Sequence, residues 1–310
     1  MREKGWDIVS QLIQTIPNFS EGKNPAFIVG LEKIAKEVPE IIVLDVSSDM
    51  NHHRSSIAVL GGVSAIQEVC FQLVEYASQN IDMNQHHGEH PRMGATDVIP
   101  LIPVKNISLD ECVIISQKIA NRISEELEIP TYLYEASAKC QERRNLSNIR
   151  KGEFEGMKKK IQEEKWCPDF GRAKIHPTAG VTAVGARNPL VAFNVNLATD
   201  NLAVAKKIAK AIRFSSGGFR YCKAIGVNLP DKGIVQVSMD LVDYTQTPIH
   251  RVFEMIKMEA ARYGVHVLNS EIYGMIPAQA LMDVADHYLQ LEGFESVHQV
   301  TEQRLIEEFL

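Results

Sequence analysis

A chain of 310 residues with 45% hydrophobic and 23% charged residues has the balance of a soluble globular protein and the length for two ordinary domains. Its net charge of −6 gives no global attraction to nucleic acid or to an anionic membrane. The start, MREKGWDIVSQLIQ, carries no apolar run of signal-peptide or membrane-span length. Five cysteines (Cys70, Cys112, Cys140, Cys167, Cys222) without a CxxC pair argue against a disulfide scaffold and for a reducing compartment, so a cytoplasmic location is expected. Cys70 and Cys112 fall on apolar stripes and read as core filler.

In chain order, QLIQTIP (11–17) reads as a strand that ends in the polar loop NFSEGKN. Asn24 can cap a helix with Pro25 in its first turn, and Phe27, Ile28, Leu31, Ile34 and Ala35 keep helical spacing to about residue 37. IIVLDV (41–46) reads as a buried strand delivering Asp45 to its end, and a second strand follows at about 55–61. Ser64 can start the next helix, with Ile66, Val69, Cys70, Leu73, Val74 and Ala77 as its buried stripe. DVIPLIPV (97–104) is the next strand, with Pro100 and Pro103 placing it at an edge or in an irregular stretch. The order β-α-β-β-α-β is the split arrangement of ferredoxin-like domains. Ser108 opens a further helix, TYLYE (131–135) is a strand, and the charged stretch 136–165 reads as helical and mostly solvated.

Residues 166–187 are broken by Pro168, Gly171, Pro177, Gly180 and Gly185, and the aromatic Trp166 and Phe170 favour a shaped binding loop over a plain linker. The same element order then recurs: strands at 190–197, 222–229, 234–241 and 265–270, with helices at 199–213 and from Pro248. The expected architecture is therefore α+β, two ferredoxin-like βαββαβ subdomains (1–186 and 187–310) packed around a central cleft suited to a small ligand.

The stretch MNQHHGEHPRMGAT (83–96) concentrates titratable groups: His86, His87, His90, Glu89 and Arg92, beside Gly88, Gly94 and Pro91. No apolar period runs through it, so it reads as a loop. Three histidines point to proton transfer, since imidazole titrates nearest neutral pH; a polar surface loop with clustered histidines is the bland alternative. His86 and His90 have the i, i+4 spacing of metal ligands, but Gly88 and Pro91 oppose a helix and HHGEH is not HExxH, so no metal is expected.

Ten stretches then resemble the glutamate formimidoyltransferase family, which occurs alone in some bacteria and as the N-terminal part of the formimidoyltransferase-cyclodeaminases of animals. Among them are IPNFSEGKN (16–24), HHGEHPRMGATDVIPLIPV (86–104), IRKGEFEGM (149–157), WCPDFG (166–171) and QVSMDLVDYTQTPIHRVFE (236–254). The resemblance implies transfer of a formimidoyl group from N-formimidoyl-L-glutamate to N5 of tetrahydrofolate, a step of histidine degradation. It implies a folate tunnel between two ferredoxin-like units, a homodimer, and small-molecule partners only. It carries the family's catalytic histidine onto His90. The folate segment falls on Gly171, Arg172, Ala173, Lys174, Ile175, His176, Pro177, Thr178, Ala179 and Gly180.

That chemistry suits the residues. The attacking amine must lose a proton and the leaving glutamate nitrogen must gain one, work that a single imidazole can do in turn. Asp45 is the first candidate to orient it and Glu89 the second. Arg92 suits a substrate carboxylate, or else a salt bridge fixing the loop. Asn18, Ser20 and Glu21 either line the same cleft or form an ordinary turn before the Asn24 cap. Related sequences tend to read D-x-D-H-N-R after LDV, whereas this chain has Asp49-Met50-Asn51-His52-His53-Arg54, so Asn51 and His53 replace an acid and an amide. His176 is a ligand contact or a loop-packing residue, and His250 reads as structural. Rival readings are formyl transfer between 5-formyltetrahydrofolate and glutamate, a folate-binding protein without turnover, and a metal-dependent hydrolase.

Overall fold

The first helix begins where its cap dictates. In the computed structural model, which describes residues 11–50, 52–88 and 91–304, the Asn24 side chain accepts the N–H groups of Ala26 and Phe27. Two strands precede that cap, β1 (Leu12–Thr15) and β2 (Asn18–Phe19), and α1 (Pro25–Glu37) follows it. Next come β3 (Ile42–Asp49), β4 (Arg54–Gly61) and α2 (Val63–Asn80), which starts after Gly62 with no side-chain cap, so Ser64 does not open it. After β5 (Thr96–Lys105), Ser108 and Glu111 form a reciprocal capping box at the start of α3 (Leu109–Glu126). This first unit closes with β6 (Thr131–Leu133), α4 (Leu146–Arg150), α5 (Glu153–Lys160) and β7 (Thr182–Ala186), and ends at Arg187.

Its seven strands form one sheet. β1 and β2 follow one another in the place between β4 and β5, antiparallel to both, while β3 pairs antiparallel with β4. β7 runs parallel to β5 and β6 parallel to β7. The apolar stripes of α1, α2 and α3, among them Leu31, Ile66, Leu73 and Ile119, are buried in a core with Ile13, Ile57, Val59 and Leu101 of the sheet. Each such side chain contributes about 1.5–3 kcal/mol by leaving water.

Three sequence expectations change here. DVIPLIPV lies in the middle of the sheet, between β1/β2 and β7. It is not an edge strand, but the irregular alternative holds at Pro103: the β1–β5 register shifts between Leu12 and Ile13, opposite Pro103–Lys105, where a missing N–H removes no regular rung, while Pro100 pairs in register with Gly185 of β7. IIVLDV is an outer strand: β3 runs on to Asp49, none of its residues is buried, and Asp45 is exposed at a register shift rather than at the strand end. The stretch 136–165 is not mainly a solvated face. Ile149, Met157 and Ile161 are fully buried with Met93, Tyr132 and Val181, and Phe154 joins the main core. Its charges hid this, because short helices bury only one residue per turn.

The second unit, from Asn188, holds β8 (Val191–Leu197), α6 (Leu202–Ile212), β9 (Cys222–Leu229), β10 (Ile234–Leu241), α7 (Ile249–Ala261), β11 (Val267–Tyr273), α8 (Ala278–Leu289) and α9 (Ser296–Gln299). Its sheet has the order β11-β8-β10-β9 with every pair antiparallel. Both units are thus mixed α+β. Among the described residues no helix is long and apolar enough to cross a membrane.

Candidate active site

Two loops that the sequence separates by some eighty residues are joined backbone to backbone. Gly94 and Gly180 form an isolated antiparallel bridge. Ala95 N–H donates to Ala179 O (2.9 Å) and Val181 N–H to Met93 O (3.2 Å). A Cβ on Gly94 would run into the carbonyls of Val181 and Ala179, and one on Gly180 into that of Met93, so only glycine permits this approach. Upstream, Met83 N–H donates to Thr178 O (2.9 Å) and the Asn84 amide to Pro177 O (2.9 Å). The loop from His176 to Gly180 is itself closed by a pair of backbone bonds, 2.9 and 3.1 Å long. His176 Nδ1 accepts the Ala179 N–H at 3.0 Å, and burial pushes its pKa down, which keeps it a neutral acceptor. Gly171 to Lys174 are exposed, whereas Ala179 and Gly180 are buried.

Arg92 sits on the other side of this junction, 7% exposed. All five of its N–H donors are engaged. Nε donates to His86 Nδ1 (3.2 Å), Nη2 to His86 O (3.3 Å) and Glu155 Oε1 (2.7 Å), and Nη1 to Glu155 Oε2 (3.0 Å) and to Glu153. Burial works against its charge, but the hydrogen bonds and charges of Glu155 and Glu153 outweigh that and hold its pKa above the ordinary value. Arg92 therefore takes the loop-fixing role and has no donor left for a substrate carboxylate. Phe154 N–H also donates to Arg92 O (2.9 Å), and Arg150 Nε pairs with buried Asp97 (2.9 Å), whose other oxygen accepts the Met93 N–H (2.8 Å). The motif IRKGEFEGM is thus the support of the histidine loop. Glu153, Glu155, Arg150 and Asp97 were missed as site-building residues; the alternation of Glu153 and Glu155 about an apolar Phe154 was the available signal.

The third side is built from histidines. The rings of His53 and His86 stack with centroids 4.2 Å apart and 15° between planes. His86 is buried, and its Nδ1 accepts from Arg92, so its Nε2 carries the proton donated to His53 O (3.0 Å). Burial lowers its pKa, and the nearby charges of His53 and Arg92 add to the effect. Glu21 Oε1 accepts from Lys23 N–H (2.7 Å), Asn24 N–H (3.0 Å) and His53 Nε2 (3.1 Å). Burial tends to raise the Glu21 pKa, yet these donors and the His53 charge bring it below the usual carboxylate value. The Asn18 carbonyl oxygen accepts from Arg54, and its amide donates to Ile16 O (2.7 Å). Ser20 donates to Gly94 O (2.8 Å). Phe19, Ser20, His53, Arg54, His86, Arg92 and Asp97 line one small cavity.

The structure thus brings Asn18, Ser20, Glu21, Arg92 and the end of the 171–180 segment into one neighbourhood. Asp45 is exposed in the outer strand β3, opposite Ala58 of β4. Glu89 and His90 lie outside the described residues. In WCPDFG, Asp169 is a structural group: it accepts the Leu133 N–H and the Arg143 guanidinium, both at 2.8 Å. His250 is buried in α7 and stacks on His287 with centroids 4.1 Å apart, a packing role in the second unit.

Comparison with known proteins matches this chain along nearly its whole length. The model of the formiminotransferase domain, N-terminal subdomain, covers residues 12–187, and that of the formiminotransferase domain covers residues 192–309. A glutamate formimidoyltransferase of Streptococcus pyogenes serotype M1 is 57% identical over 96% of this chain and 100% of its own length. One from Thermoplasma acidophilum is 44% identical over 92% of this chain and 94% of its own. The formimidoyltransferase-cyclodeaminase of Sus scrofa is 38% identical over 92% of this chain, which spans 54% of that longer protein. The chain belongs to the formiminotransferase family and is a transferase.

Proposed function

We propose that this protein transfers the formimidoyl group of N-formimidoyl-L-glutamate to N5 of tetrahydrofolate, releasing L-glutamate and 5-formimidoyltetrahydrofolate. The observation that carries the reading is the backbone junction of Met93–Ala95 with Ala179–Val181. It ties the loop bearing the family's histidine to the segment the resemblance assigns to folate.

In the reaction N5 attacks the formimidoyl carbon and gives up its proton, and the glutamate nitrogen departs with one. His90 takes the first proton and returns it to the leaving nitrogen, an acid–base contribution of about 10²–10⁴-fold. The tetrahedral intermediate carries nitrogen rather than an oxyanion, so no oxyanion hole is needed. With Arg92 saturated, the donor's carboxylates must be met by other cations, and Arg172 and Lys174, exposed in the 171–180 segment, fill that role. The protein works as a cytoplasmic homodimer on these two small molecules.

Incubation with both substrates, followed by acid to convert any 5-formimidoyl product to methenyltetrahydrofolate, reads the reaction by absorbance. Product from the parent and none from a folded His90→Ala protein is the expected result. An active His90→Ala protein would remove that residue from the mechanism, and absence of folate binding would remove the whole reading.

A further inference from the structure

His53 holds an unusual place. Its backbone has φ +51°, in the left-handed region that few non-glycine residues enter. Its ring nevertheless ties three segments together. Nδ1 donates to His87 O at 2.9 Å, and Nε2 lies 3.1 Å from Glu21 Oε1. The contact is returned, since His86 Nε2–H donates to His53 O and its ring lies flat on that of His53. Gly88 completes the clasp: a Cβ there would meet His52 O at 2.7 Å and His53 Cβ at 2.8 Å.

Both His53 nitrogens face oxygen acceptors, a carbonyl and a carboxylate. Only the doubly protonated ring can donate to both. A neutral ring must turn a lone pair either to His87 O or to Glu21, and one strap of the clasp is lost. The titratable and charged groups around the ring are Glu21 from the turn before α1, His86 with Arg92 behind it, and His87 from the histidine loop. Its chain neighbours are His52 and Arg54, and Asp97 of β5 lines the same cavity. His86 is held neutral by the Arg92 hydrogen bond, so it does not compete for the charge.

We propose that His53 is a positioning residue whose protonated ring clasps the histidine loop to Glu21, so that the loop loosens when His53 loses a proton. The clasp ends at His87, three residues before the histidine assigned to proton transfer. Its consequence for turnover, which rests on the formimidoyl-transfer reading, is a loss of kcat on the alkaline side as the clasp opens.

The test uses the full chain, with His53→Asn and His53→Ala variants. Asparagine accepts a left-handed backbone readily, so the first variant keeps the fold and offers a neutral amide donor. Amide hydrogen exchange in residues 85–88, corrected for intrinsic pH dependence, reads the clasp without turnover. In the parent, exchange is expected to speed up as pH rises. In His53→Asn that response disappears, and in His53→Ala exchange is about tenfold faster than in the parent on the acid side, the difference narrowing as pH rises. In the transfer assay, His53→Asn loses the alkaline limb with its optimum kcat within about threefold of the parent, and His53→Ala loses about tenfold in kcat with tetrahydrofolate KM unchanged. An alkaline limb retained in His53→Asn, or exchange unaltered in His53→Ala, overturns the proposal. A parent that shows the exchange response but forms no product supports the clasp and removes the transfer reading.

Discussion

Gly94 and Gly180 face each other across a backbone bridge that leaves no room for a side chain on either. Their contact is the seam between the histidine loop and the 171–180 segment, and Gly180 also needs its φ of +72°. Gly94→Ala should push Met93–Ala95 away from Val181. A displacement of about 1 Å at a catalytic loop costs on the order of 10²-fold in rate, so kcat should fall by about that factor. Gly180→Ala adds about 1–2 kcal/mol of backbone strain and should lower the melting temperature more than Gly94→Ala does. Steady-state kinetics and thermal melts on both variants check this.

Arg92 separates the loop-fixing role from substrate binding. Because its five donors are already used, Arg92→Lys should lower kcat and leave the KM for the formimidoyl donor within about twofold. Glu153 and Glu155 are partly exposed, so water relieves them when the arginine goes. The loss of stability should therefore stay near 2 kcal/mol, below the about 3–5 kcal/mol of a fully buried pair. A selective rise in donor KM would instead return Arg92 to substrate binding.

Asp169 should be the more costly residue to remove. Its side chain is 2% exposed, against 9% for its partner Arg143. Asp169→Ala leaves the Leu133 N–H and the Nη1 of Arg143 unpaired in the interior and the guanidinium charge without its carboxylate, although Nη2 keeps the carbonyls of Lys165 and Cys167, for a loss of about 3–5 kcal/mol. Urea unfolding of the variant measures it.

The junction should weaken in acid. Burial depresses the pKa of both His86 and His176, and in the folded protein each accepts a hydrogen bond as the neutral ring. As pH falls below about 6.5, the unfolded chain binds protons at these rings that the folded chain refuses. The stability they protect is complete above that pH and is lost below it. Melting temperature should fall from pH 7 to pH 5, and less steeply in His176→Asn, whose amide oxygen accepts without titrating.

Thiol reactivity should divide the cysteines. Cys70, Cys112 and Cys222 are buried, and burial pushes their pKa values up to about 12, 11 and 12. Cys140 and Cys167 are partly exposed. Iodoacetamide at neutral pH should label these two in the native protein and all five only after unfolding, as mass spectrometry would show.

Local chemistry was legible from the residues alone. Asn24, Ser108 and the apolar stripes of α1 to α3 act as read, because caps and helical periodicity depend on neighbours within one or two turns. The repeated element order was legible for the same reason, as was the resistance of the described parts of the histidine loop to regular structure. Where the reading failed, the deciding contact was distant. IIVLDV reads as a buried strand with Asp45 at its end because nothing local tells an outer strand from an inner one, and the prolines of β5 leave edge and irregular placements open until the register decides for the irregular one at Pro103.

The sequence by itself determined the two-unit α+β plan, the family, and the loop that carries its histidines. Tertiary structure alone decided what those side chains do. Arg92 is a strut because Glu153 and Glu155 arrive from some sixty residues away, and His53 is a clasp because Glu21 and His87 flank it. Hydrogen-bond donors are finite and directional, so a residue's role depends on which acceptors the fold brings within reach, and spacing along the chain does not record that.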